Sequence, residues 1–136
     1  MNTRTNLIDL SQPASLLRLA LLADAAVSGA TGLVMMAGAG YVDGLLGVPS
    51  ALLRYAGLSL LPFAALVVFV ATRERISRPA AWAIVAYNAL WVVDSIVLMT
   101  SGWIAPTALG YAFIAFQALV VAAFAELQYV ALRKTR

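Results

Sequence analysis

The stretch LALLADAAVSGATGLVMMAGA, residues 19–39, runs for 21 residues with Asp24 as its only charge. A helix needs about 20 mostly apolar residues to cross the ~30 Å hydrocarbon layer of a bilayer, so this run is long enough to span one. Three further runs repeat the pattern. Residues 55–72 carry no charge, residues 79–100 only Asp94, and residues 107–125 none, with an extension through Glu126 to residue 132. Each run is too long for a barrel strand and lacks strict alternation, which selects helix. The expected fold is an all-α integral membrane four-helix bundle, one domain over residues 1–136, with spans near 16–39, 51–72, 79–100 and 107–132.

Composition agrees with that reading. Of 136 residues 63% are hydrophobic and 11% charged, far from the near-even apolar share and quarter charged share of soluble domains. The chain contains neither Cys nor His. Disulfides, thiol relays and iron–sulfur clusters therefore need residues that the chain lacks, as do the usual haem and zinc ligand sets. No cofactor and no metal site is expected.

The connectors set the topology. Gly38, Gly40, Gly44, Gly47 and Pro49 are expected to break the chain between the first two spans. Thr72 to Ser77 separate the second and third, with Pro79 at a favoured early helical position. Residues 101–106 join the third and fourth tightly, so those helices should be antiparallel neighbours. Arg4, Arg18, Arg73, Arg75, Arg78, Arg133, Lys134 and Arg136 fall on one side of such a bundle, and Arg54 alone on the other. Eight against one is a strong positive-inside bias and places the N-terminus, the middle loop and the C-terminus in the cytoplasm. Trp82, Trp103, Tyr41, Tyr55 and Tyr129 stand near span ends, as interfacial aromatics do. The expected location is a bacterial inner (plasma) membrane, multi-pass. Basic residues at span ends, rather than in a stripe, argue against a nucleic-acid partner. The expected partners are the lipid bilayer and either a second copy, making a dimer, or another membrane protein.

A cleaved signal peptide is disfavoured for the first span, because its apolar region is longer than usual and its removal would break the even count. Within residues 1–13, residues 6–12 read equally as a short interfacial helix or a loosely ordered terminus.

An ionisable group at the centre of a bilayer costs roughly 2.5–3.5 kcal/mol on insertion scales, so each one calls for a partner or a role. Asp24 lies about 12 Å in from a helix start near Leu16. Ser28 and Thr31 follow at i+4 and i+7, forming a polar stripe, and Ser28 with Gly32 makes a small-xxx-small pair that admits a close helix. The stripe reads either as a proton or cation site or as a buried acid that fixes packing. Asp94 stands in the outer third of its span beside Ser95, one turn beyond Trp91. Arg54 is at a depth where it should pair with Asp94, with Asp43 as a competitor. The ion pair is the favoured reading; the other is a site for a small polar ligand, which Arg, Asp, Asn and Trp converging there would suit. Gln117 at mid-span needs a partner on another helix, and Asn88 is at comparable depth. Glu126, close to Gln128 and Arg133, can snorkel to water. Pro62 removes one backbone donor from the second span and frees the carbonyl of Leu58.

The stretch from Leu45-Leu46-Gly47-Val48-Pro49 through Arg54-Tyr55-Ala56-Gly57-Leu58 resembles the loop and second helix of DoxX-like small bacterial membrane proteins. The resemblance covers about fifteen residues and implies four spans of similar length. It departs where that family tends to place a Lys late in span one and a Glu early in span two. Here those regions read Ser28-Gly29-Ala30-Thr31-Gly32 and Gly57-Leu58-Ser59-Leu60. Only the architecture is carried over.

Three functions follow in descending order. The first is a non-enzymatic accessory or small-ligand-binding bundle. The second is a proton-coupled exporter with Asp24 as its coupling group, similar in span number to small multidrug transporters. A membrane enzyme comes last, since no nucleophile–base pair can be built without His, Cys or a buried Lys.

Overall fold

The computed structural model describes residues 12–135 and is built from four helices. They are α1 (Pro13–Leu46), α2 (Ser50–Ala71), α3 (Arg78–Thr100) and α4 (Ala108–Lys134). Each is long and apolar enough to cross a membrane. Apart from Gln12, the interfacial segment expected over residues 6–12 lies outside the described residues.

Local chemistry sets the helix ends. Pro13 opens α1, where its missing N–H removes no bond. The Ser77 hydroxyl accepts from the Ala80 N–H and the Thr107 hydroxyl from the Gly110 N–H, so both caps satisfy orphan donors of a first turn. α2 continues through Pro62 to Ala71. The glycine-rich connector differs from expectation, because α1 continues through Gly38, Gly40 and Gly44 and stops only at Gly47. Gly47 takes φ 66°, a left-handed cap for which glycine is suited, and Pro49 follows. Glycine lowers helix propensity by about 1 kcal/mol without forbidding helix, and here packing holds the last turns in place.

The directions of the helices follow from contacts at their ends. Arg18 near the start of α1 reaches the end of α2, and Arg78 at the start of α3 reaches the end of α4. Thr107, before α4, donates from its hydroxyl to Leu45 O at 2.6 Å and from its N–H to Leu46 O at 3.0 Å. α1 is thus antiparallel to α2 and α4, and α3 to α4, an up-down-up-down bundle. The arginines mark a basic end; the 47–49 and 101–107 connectors mark a turn end.

α1 and α2 pack most closely. A methyl group on Gly57 would lie 2.7 Å from Gly32 O, and one on Gly32 would lie 2.9 Å from Gly57 O. The small-residue stripe on α1 therefore receives α2 of the same chain. α2 and α3 scarcely meet along their backbones and are bridged by side chains. Phe63 stacks on Tyr87 at 4.0 Å between ring centroids, and the hydroxyls of Ser59 and Tyr87 are 2.9 Å apart.

Leu17, Leu21, Leu53, Val67, Ile84 and Leu132 form the centre of the core. The outer faces are equally apolar: Val34, Leu90, Phe116 and Leu119 are all more than 60% exposed. Such faces suit an apolar surrounding better than water.

Candidate functional site

Two polar layers cross the bundle. The one nearer the basic end centres on Asp24, which is fully buried. Oδ1 accepts from the Ser28 hydroxyl at 2.9 Å, one turn along α1. Oδ2 accepts from Asn88 Nδ2 of α3 at 2.7 Å and from Gln128 Nε2 of α4 at 2.8 Å. Asn88 Nδ2 also donates to Gln128 Oε1 at 3.0 Å. Asn88 and Gln128 are themselves buried, 2% and 0% exposed. One carboxyl thereby ties three helices together, and among the described residues no buried side-chain N or O lacks a partner.

The second layer lies one to two turns nearer the turn end of α3. Trp91 Nε1 donates to Gln117 Oε1, Gln117 Nε2 donates to the Ser95 hydroxyl at 3.0 Å, and Ser95 Oγ donates to Trp91 O at 2.8 Å. The Trp91 indole also stacks beyond Tyr87, continuing the aromatic ladder that begins at Phe63. A cavity of about 200 Å³ opens beside this layer, lined by all four helices. Its walls include Met35, Leu53, Leu98 and Phe113, and Asp94, Ser95 and Gln117 supply its polar edge. A second cavity of about 280 Å³ shares Trp91, Phe113 and Gln117 and reaches Ser28 and Thr31.

The residues expected to carry function therefore divide. Asp24, Ser28 and Asn88 meet in the first layer. Trp91, Gln117 and Asp94 meet at the cavity, and Thr31 lines its neighbour. Arg54 stands apart: it is exposed near Gly40, and neither Asp94 nor Asp43 forms an ion pair with it among the described residues. The Arg54 guanidinium is turned towards Gly40 of α1, whereas Asp94 lines the cavity. The expected proximity of Asn88 and Gln117 is likewise replaced, Asn88 bonding Gln128 and Gln117 bonding Trp91 and Ser95.

Gln128 is the functional-layer residue that sequence reasoning passed over. It follows Gln117 by eleven residues, three helical turns, so the two amides share one face of α4. That spacing is the signal in the sequence; Glu126, two residues earlier, is exposed and takes no part in the layer.

Comparison with protein-family models, with curated proteins and with solved structures gives no match.

Proposed function

We propose that this chain is a four-span membrane protein, its basic end in the cytoplasm, that binds a small, largely apolar ligand in the turn-end cavity without altering it chemically. The ring of exposed Leu, Val and Phe and the gathering of arginines at one end support the membrane setting. On that reading both termini are cytoplasmic, and a bacterial inner membrane is the setting.

The observation that carries the binding role is the cavity itself. Its walls are apolar on most sides, and its polar atoms lie on one edge where Trp91, Ser95 and Gln117 hold one another in place. Orientation-fixing groups set in an apolar hollow are the usual make-up of a ligand site. Asp94 at that edge suits a ligand with a cationic or hydrogen-bonding head, and the Trp91 ring adds attraction for a cation.

A proton-coupled exporter using Asp24 is less well supported. Both Asp24 oxygens are occupied by donors from three helices, and the carboxyl lines neither cavity. Such enclosure supports a packing role.

A test uses the Trp82→Phe, Trp103→Phe protein, in which Trp91 is the sole indole. Titration with benzyltrimethylammonium and with neutral benzyl alcohol should give a saturable change in Trp91 fluorescence, stronger for the cation. Ala56→Phe, which fills the cavity from α2, should remove it. An unchanging signal with both compounds would refute the proposal.

A further inference from the structure

We propose that the basic end holds a site for the phosphate of an anionic lipid headgroup, formed by Arg18, Arg75 and Arg78. The three side chains come from α1, the α2–α3 connector and the start of α3, and they line one depression of about 510 Å³. Two of them are held rigidly. Arg18 donates to the carbonyls of Ala71, Arg73 (2.8 Å) and Glu74 (3.2 Å), the last residues of α2 and those after it. Arg78 Nη1 donates to Leu132 O at 3.1 Å and to Thr135 O and Oγ1 at 2.8 Å. These bonds fix the guanidiniums without neutralising them, because every acceptor is an uncharged carbonyl or hydroxyl.

Arg75 makes no hydrogen bond or ion pair with any described residue, and Glu74, the one acid on the wall, pairs with none of the three. Three like charges facing one hollow repel one another, and an anion seated between them relieves that repulsion. Arg18 keeps its Nε–H and one Nη2–H, and Arg78 its Nε–H and both Nη2 hydrogens, unbonded to any described residue; these pre-set donors suit phosphate oxygens and lose little freedom on binding.

The position of the site selects the source of the phosphate. Ala14 and Leu17 of α1 and Ile76 sit on the wall with the arginines, at the level where the apolar runs begin. In the membrane setting proposed above, on which this inference rests, that level is the headgroup layer of the cytoplasmic leaflet, where basic pockets collect anionic lipids. Ala14 and Ile76, which are not buried, would meet the first carbons of the glyceride.

The experiment uses the full chain in neutral detergent, so it is independent of the turn-end cavity. Binding of dioctanoyl phosphatidic acid, dioctanoyl phosphatidylcholine and inorganic phosphate is measured by native mass spectrometry and calorimetry. Phosphatidic acid should bind saturably and far more tightly than the other two. Arg75→Gln, which breaks no bond to a described residue, should weaken it about fivefold, the effect of one basic group near a headgroup. Arg133→Gln removes the same charge outside the depression and should leave the affinity unchanged. Equal weakening by the two variants, or equal binding of phosphatidylcholine, would overturn the site. Competition by inorganic phosphate as strong as by phosphatidic acid would overturn the lipid as its occupant.

Discussion

Asn88 donates an amide hydrogen to Asp24 across 64 positions of sequence, at 2.7 Å and out of reach of solvent. That bond joins α3 to α1, two helices that otherwise scarcely meet along their backbones. The consequences of disturbing it depend on what replaces the carboxyl.

Asp24→Asn should be tolerated. The new Oδ1 can accept from Asn88 and Gln128, and the new amide can donate to Ser28, whose hydroxyl can turn to accept. Asp24→Leu leaves Gln128 Nε2 and the Ser28 hydroxyl without their acceptor and Asn88 with Gln128 alone, at about 1–3 kcal/mol for each buried group left unpaired. Thermal unfolding in detergent should show a small change for the first variant and a large loss for the second. Liposomes under a pH gradient should show the same proton flux for wild type and Asp24→Asn; a flux present in wild type and absent in the variant would restore the exporter reading.

Asn88→Ala and Gln128→Ala should not be additive. The two amides share Asp24 Oδ2 and bond each other, so removing one already loosens the other. A double-mutant cycle on unfolding free energy should return a coupling of about 0.5–3 kcal/mol. Strict additivity would mean that the layer is not a network.

Gly57→Ala and Gly38→Ala should move stability in opposite directions. A methyl on Gly57 meets backbone of α1 at 2.7–2.8 Å, and overpacking of this kind costs about 1–3 kcal/mol. A methyl on Gly38 meets nothing within 4 Å, and the helix gains up to about 1 kcal/mol from the better helix former. Comparing the two melting temperatures checks both statements.

Arg18→Lys should lower stability although it keeps the charge. The fork that spans the carbonyls of Ala71, Arg73 and Glu74 becomes a single ammonium, which cannot reach all three. The expected loss is about 1 kcal/mol, from two hydrogen bonds at a helix C-terminus. A melting curve identical to wild type would contradict it.

Topology can be checked directly. Reporter fusions after Arg75 and after Lys134 should both report the cytoplasm, and one after Trp103 the opposite side. A soluble, monodisperse chain without detergent would dispose of the membrane reading altogether.

The number of the helices was legible because the apolar runs are long and their charged interruptions few. Pro79 and Thr107 marked helix starts to within a residue or two. The end of α1 was not legible, because five clustered glycines and prolines look like a break although only Gly47 needs a backbone that other residues resist. Asp24 with Ser28 could be read from helical spacing alone. Its partners could not, since the choice between Gln117 and Gln128 depends on how far α4 slides along α1. The start of α4 is held against the end of α1 by the two Thr107 bonds and by Gly110, where any side chain would run into the Leu46 carbonyl. Arg54 and Asp94 do not pair, because equal depth does not say which neighbouring helix a side chain turns to, and Arg54 turns towards Gly40 of α1.

The distance along the chain between Asp24 and Gln128 bears on how the protein is made. If the helices enter the bilayer in order, α1 arrives with its carboxyl exposed to lipid, and the last amide that quiets it is 104 residues away. Until then only the Ser28 hydroxyl of the same helix and Asn88 of α3 can bond the carboxyl. The Asp24 carboxyl thus has its full set of donors only once α4, the last helix of the chain to be made, is in place.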